Sequence, residues 1–205
     1  LKYYEIIKDP KLKNAVKMML SDWGYKLRFI PSSMTGHYHP PDEHGLEGLI
    51  RHIEKLCWFL LCCSDEFQWD QDTLDEMLTA AYFHDIGKVV DTRVEQKVVY
   101  QKMKKVMRKV VVSRRVETGD HHPVVSAKVA EEYMKRAKVP SARIKRIKRI
   151  ILSHMGHWYK GLPEPTTELE RLFALGDFIV SRPEFRLVQE HWLKTLFRWL
   201  YLGIK

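Results

Sequence analysis

Six side chains able to bind metal ions or move protons sit where the hydrophobic pattern of this sequence points inward. They are His52, His84, Asp85, His122, His154 and Asp177. His52 falls three residues after Leu49 and four before Leu56, within the apolar stripe Leu49, Ile53, Leu56, Leu60. Asp85 is four beyond Ala81 and extends Leu74, Leu78, Ala81. His154 is three after Ile151 and extends Ile144, Ile147, Ile151. His122 stands three before Val125, and Asp177 four after Phe173 on the side of Leu169 and Val180. Residues at such offsets share a helix face. One histidine on an apolar face is ordinarily a hydrogen-bonded core residue, and one aspartate near a helix end ordinarily a cap. Six of them, drawn from five helices and aimed at one interior, fit that explanation poorly. A buried carboxylate without a partner is costly, and a metal ion is a common remedy. Mixed His/Asp ligation suits Mn, Fe, Co, Ni or Zn, and Mg where water and carboxylate dominate.

The elements that must position these residues are helical. Asp9-Pro10 reads as an N-cap with proline at the first position, opening a helix through about Leu20, followed by a connector "SDWGYKLRFIPSS". Further helices are predicted from about Glu43 to Cys63, Asp72 to Asp85 (ended by Gly87), His122 to Ala137, Ser141 onward, and Thr167 to Val180. Thr167-x-x-Glu170 resembles a capping box. Phe185, Val188, Trp192, Leu196 and Trp199 mark a last amphipathic helix. The fold class is all-α: a helical bundle with a buried metal site and at most a minor hairpin in the basic insertion. Residues 1–205 read as a single domain, with a core at 31–182 and the C-terminal helix at 183–205.

The net charge is +9 and unevenly placed. Lys97 to Arg115 and Lys135 to Arg149 hold eight basic residues each and no acid, so the rest of the chain is net acidic. Such zones suit a polyanionic partner. Cys57, Cys62 and Cys63 form no CxxC pair and read as free core thiols, which makes a reducing, cytoplasmic compartment the default. No apolar run approaches the length of a membrane-spanning helix.

The ordered set His52, "FHDIGK" at His84-Asp85, His122 in "HHPVVSA", His154 in "IILSHMGHW" and Asp177 in "ALGDFIVSR" resembles the HD-domain superfamily of metal-dependent phosphohydrolases. "HYHPPDEHGLEGLIRH" and "LSHMGHW" are similar to the HD domains of certain 3′–5′ exoribonucleases and of some conjugative relaxases. Those families often pair a histidine in the later motif where this chain has Met155; His157 could compensate. The Gly-Tyr-Pro motif of the cyclic-dinucleotide members is absent. The resemblance implies His52, His84, Asp85 and Asp177 around one metal, with His122 and His154 on a second and Asp85 bridging. It also implies His37 and His39 at the pocket mouth.

The expected chemistry is hydrolysis of a phosphoester by metal-activated hydroxide, with one or two divalent ions. Asp85, Lys88 and His121 are the candidate catalytic residues, Lys88 as a point charge on a phosphate oxygen and His121 as a leaving-group donor or ligand support. Arg143 and Arg146, on the helix that delivers His154, join Lys88, His37, His39 and His157 as candidate substrate contacts. Single-stranded nucleic acid is the expected substrate. The alternatives are a small-molecule nucleotidase, a di-iron oxygenase, and a nucleic-acid-binding module with a structural metal.

Overall fold

The computed structural model describes residues 2–33, 39–101, 104–114 and 121–182, with side chains omitted in the distal part of a hairpin at 95–114. Helix α1 runs Pro10–Leu27, α2 Gly48–Phe67, α3 Gln71–Phe83, α4 Ile86–Val90, α5 His122–Arg136, α6 Ser141–Ser153 and α7 Glu168–Val180. Strands β1 (Thr92–Gln101) and β2 (Lys104–Arg114) pair antiparallel between α4 and α5. The all-α class holds, with the hairpin as its minor sheet. The predicted C-terminal helix lies outside the described residues.

Helix α1 opens as its sequence demands. The Asp9 carboxylate accepts from the Lys11 and Leu12 amides, and Pro10 takes the first position. It does not stop near Leu20. Its buried stripe continues from Leu12, Val16 and Met19 to Leu27, and that burial carries the helix through Gly24 despite the poor helix propensity of glycine. Helix α2 begins at Gly48 and not at Glu43, because Pro41–Glu43 forms a separate 3-10 turn and Glu47 adopts a left-handed conformation (φ 61°). At α7 the Thr167 hydroxyl accepts from the Glu170 amide, but the Glu170 carboxylate reaches back one residue further than a capping box, to the Thr166 amide.

The core lies between α2, α3, α5, α6 and α7, with α1 packed on α3 and α5. Leu49, Leu56, Leu60, Leu78, Phe83, Ile147, Ile151, Leu172 and Phe173 are all fully buried. The cysteines are free; Cys57 and Cys63 are buried among these residues. Among the described residues no helix is long and apolar enough to cross a membrane.

Gly87 does not end α3. The helix breaks two residues earlier, and Gly87 lies within α4, pressed against α5. A Cβ there would stand 2.5 Å from the His122 carbonyl oxygen and 3.0 Å from Ser126 Oγ, which already accepts from the Gly87 amide at 2.9 Å. A backbone carbonyl cannot swing aside. Gly87→Ala is therefore expected to lower stability by about 1–3 kcal/mol through overpacking, outweighing the roughly 1 kcal/mol that alanine gains in helix propensity. Denaturant unfolding measures this, and an unchanged midpoint would mean that the contact between α4 and α5 yields freely.

Candidate metal centre

Five helices converge on one buried point. His52 comes from the second turn of α2, His84 caps the end of α3, His122 opens α5, His154 caps α6, and Asp177 lies on α7. Asp85 occupies the break between α3 and α4, with φ −111° and ψ 6°. Neighbours in an unbroken helix diverge by about 100° around the axis. The break lets His84 and Asp85 turn toward the same centre.

The distances define two groups that share Asp85. His52 Nε2 lies 2.9 Å from Asp177 Oδ1, 3.3 Å from His84 Nε2 and 3.8 Å from Asp85 Oδ2. His84 Nε2 is 3.5 Å from both Asp85 Oδ2 and Asp177 Oδ1. On the other side His122 Nε2 lies 3.1 Å from Asp85 Oδ1 and 3.4 Å from His154 Nε2. Asp85 thus offers one oxygen to each group. Ligand atoms about 2.1 Å from a common ion stand roughly 3.0–3.4 Å apart in octahedral or tetrahedral geometry. Most separations observed here are close to the edges of such polyhedra, and His52 to Asp85, at 3.8 Å, is longer.

The protonation pattern fits a cation as well. The ring Nδ1–H of His84 donates to the Ala81 carbonyl at 2.8 Å, and that of His154 to the Ile151 carbonyl at 2.6 Å. Both histidines stand at helix ends, where the last carbonyls lack helical partners. With the proton on Nδ1, each Nε2 keeps a lone pair for an ion. Asp85 Oδ1 is buried with no hydrogen bond among the described residues, since His122 is near it but out of line. A positive ion resolves all of these contacts. The groups His52, His84, Asp85 and Asp85, His122, His154 each bring their ligand atoms within 4.8 Å and could hold a metal.

Compared with protein families, the sequence matches the HD domain over residues 36–179. This chain belongs to the HD domain family. The HD domain indicates a metal-dependent phosphohydrolase, and its members bind divalent metals. No curated protein and no solved structure matches the chain.

The electrostatics of this HD centre divide its histidines. Burial depresses His154 to about 3 and His122 to about 4, in the latter case against the pull of Asp85. Both are neutral imidazoles at pH 7. Burial also opposes charge on His52, but the nearby carboxylates of Asp177 and Glu43 outweigh it and raise the group to about 9. Burial alone would raise Asp85 and Asp177. The ammonium of Lys88 holds Asp85 well below the usual carboxylate range, and His52 does the same for Asp177.

The other candidates divide too. Lys88 reaches the centre: its Nζ lies 2.5 Å from Asp85 Oδ2 and 3.2 Å from the Ser32 carbonyl. His39 is buried, and its Nδ1 bonds Glu43 at 2.7 Å. His37 lies outside the described residues. The His121 ring packs on Tyr159, centroids 4.4 Å apart, and belongs to none of the ligand clusters among the described residues. His157 is exposed and also outside them, so it does not replace the histidine absent at Met155.

Arg143 and Arg146 are engaged by acids from other elements. Arg143 hydrogen-bonds Asp9 at 2.7 Å and Asp72 at 3.1 Å and pairs by charge with Glu76 at 2.9 Å; Arg146 grips both oxygens of Glu76. They also sit 8 to 11 residues before His154, about 12–16 Å along the helix axis. Lys148 pairs with Glu131, and Arg149 with Glu170. The acid-free stretch finds its acids on other elements.

Sequence reasoning missed Glu43, Ser32 and Lys55. Glu43 is fully buried beside His52. The spacing held a signal: Glu43 is four residues after His39, and Lys55 three after His52.

Proposed function

We propose that this HD domain is a phosphodiesterase that hydrolyses single-stranded nucleic acid. The observation that carries the hydrolytic reading is Asp85, which turns one oxygen to each of two histidine groups. His52, His84, Asp85 and Asp177 would hold one divalent ion, and His122 and His154 a second shared through Asp85. Bound there, such ions supply a nucleophile at neutral pH and charge stabilisation at phosphorus. The protein contributes fixed ligands and a dry wall: the Phe173 ring stands edge-on to His84 and His154. Lys88 holds Asp85 and adds a positive charge on which a phosphoryl oxygen can rest.

The nucleic-acid substrate is supported by the hairpin that follows α4. Lys97 to Arg115 hold eight basic residues and no acid, a charge that suits a polyanion. The likeness of "HYHPPDEHGLEGLIRH" to exoribonuclease HD domains points the same way. A small nucleotide substrate is the second reading, favoured by the neutralisation of α6.

The test is to load the protein with Mn, Mg, Ni, Co and Fe in turn. Each form is assayed on bis-p-nitrophenyl phosphate, single-stranded RNA and DNA, and a nucleotide panel. We expect cleavage of the single strands, with affinity falling by about 0.7 log units per neutralised phosphate per log unit of salt. Turnover of mononucleotides with a flat salt response would select the second reading. No hydrolysis with any metal would overturn both.

A further inference from the structure

His52 differs from the other histidines of the centre in having no helix end to lean on. His84 and His154 hand their Nδ1 protons to carbonyls left free in the last turn. His52 sits in the second turn of α2, where the carbonyls behind it are already engaged, and its Nδ1 is buried with no hydrogen bond among the described residues. If Nε2 gives its lone pair to a metal, the proton must reside on Nδ1 and needs an acceptor. The acceptor in front of it is Glu43, whose Oε2 lies 3.5 Å away.

Glu43 is itself held from several sides. His39 Nδ1 stands 2.7 Å and Ser32 Oγ 3.0 Å from Oε2, and Lys55 Nζ donates to Oε1 at 2.6 Å. Its backbone is pinned as well. The Glu43 carbonyl accepts from the Ser32 amide at 3.1 Å and presses on Gly48, where a Cβ would come within 2.0 Å of it. Ser32 in turn passes its own carbonyl to Lys88, which holds Asp85. A fully buried carboxylate fixed this firmly is expensive to build, and among the described residues its neighbour at the metal centre is His52.

We propose that Glu43 is the positioning residue of the metal centre, fixing the tautomer and ring orientation of His52, with Ser32, His39 and Lys55 as its supports. The inference rests on the reading that His52 holds a metal. A separate ion bound by His39, Glu43 and His52 is the competing use of the same atoms, which also lie within 4.8 Å of one another. The direct contact of His39 with Glu43, and the ammonium of Lys55 beside it, disfavour that use.

The experiment measures Mn and Co binding to the wild type, Glu43→Gln and Ser32→Ala by calorimetry. Long-range nitrogen–proton NMR on histidine-labelled, Zn-loaded protein reads the His52 tautomer. We expect wild type to bind two ions. Glu43→Gln should weaken one of them by about 10–100-fold, leave the other in place, and redistribute the His52 tautomer. Ser32→Ala should weaken the same ion by less. Equal weakening of both ions with an unchanged tautomer would reduce Glu43 to a structural residue. A third ion in wild type, lost in Glu43→Gln, would make it a ligand and overturn the proposal. Full two-ion affinity in Glu43→Gln would defeat the inference while sparing the metal centre; absence of binding in wild type would end both.

Discussion

Asp85→Asn is expected to lower metal affinity and phosphoester turnover by more than roughly 100-fold, beyond the range for losing an outer partner of a ligand. Asp85 is the only residue shared by the two ligand groups among the described residues. Its Oδ2 faces His52 and His84, and its Oδ1 faces His122. An amide of the same shape keeps one oxygen, loses the negative charge and turns an N–H toward the other group. One group then keeps a weakened ligand, and the other meets a donor where it needs a lone pair. Lys88 also loses its anion, although the Ser32 carbonyl still accepts from it. The backbone break at residue 85 does not depend on the side chain, since the N-cap makes no side-chain hydrogen bond. Circular dichroism should therefore stay close to wild type while Mn titration and bis-p-nitrophenyl phosphate assays collapse. Turnover retained in Asp85→Asn would remove this residue from the centre.

What the sequence disclosed about this centre follows from periodicity. His52, Asp85, His154 and Asp177 lie at helical offsets from buried Leu, Ile and Phe residues, and helix periodicity survives folding unchanged. The partners across space were not legible. Arg143 and Arg146 stand in a stretch with no acid, yet Asp9, Asp72 and Glu76 reach them from α3 and the start of α1. Glu43 was hidden for a related reason. It was read as the first residue of a helix, where a glutamate is unremarkable, whereas Glu47 in the left-handed region splits off the turn that buries it. Gly87 misled because a glycine after an apolar run signals a helix end. Here its missing side chain admits the carbonyl of His122 instead.

The metal-free protein is expected to be most stable near pH 6.5, and metal binding at pH 7 to release about one proton. Histidine in an unfolded chain titrates near 6.5. His52, raised to about 9 by Asp177 and Glu43, keeps its proton in the fold when the unfolded chain would release it. Its contribution is complete below about pH 6.5 and is lost as pH rises through 9. His122 and His154, depressed to about 4 and about 3, refuse protons that the unfolded chain accepts. Their contributions are complete above about pH 6.5 and are lost as pH falls toward those values. At about 1.4 kcal/mol for each tenfold change in proton affinity, each histidine carries on the order of 3–5 kcal/mol. Chemical denaturation at pH 5, 6.5 and 9 should show the maximum in the middle. Metal binding draws on the same protons. His122 and His154 are already neutral at pH 7 and cost nothing. His52 must give up the proton on Nε2 before it can ligate, so affinity should rise about tenfold per pH unit and level off near 9. Calorimetric titration with Mn in buffers of different ionisation enthalpy counts the protons released. A count of zero at pH 7, with affinity flat from pH 6.5 to 9, would exclude His52 as a ligand and leave only the group built on Asp85, His122 and His154.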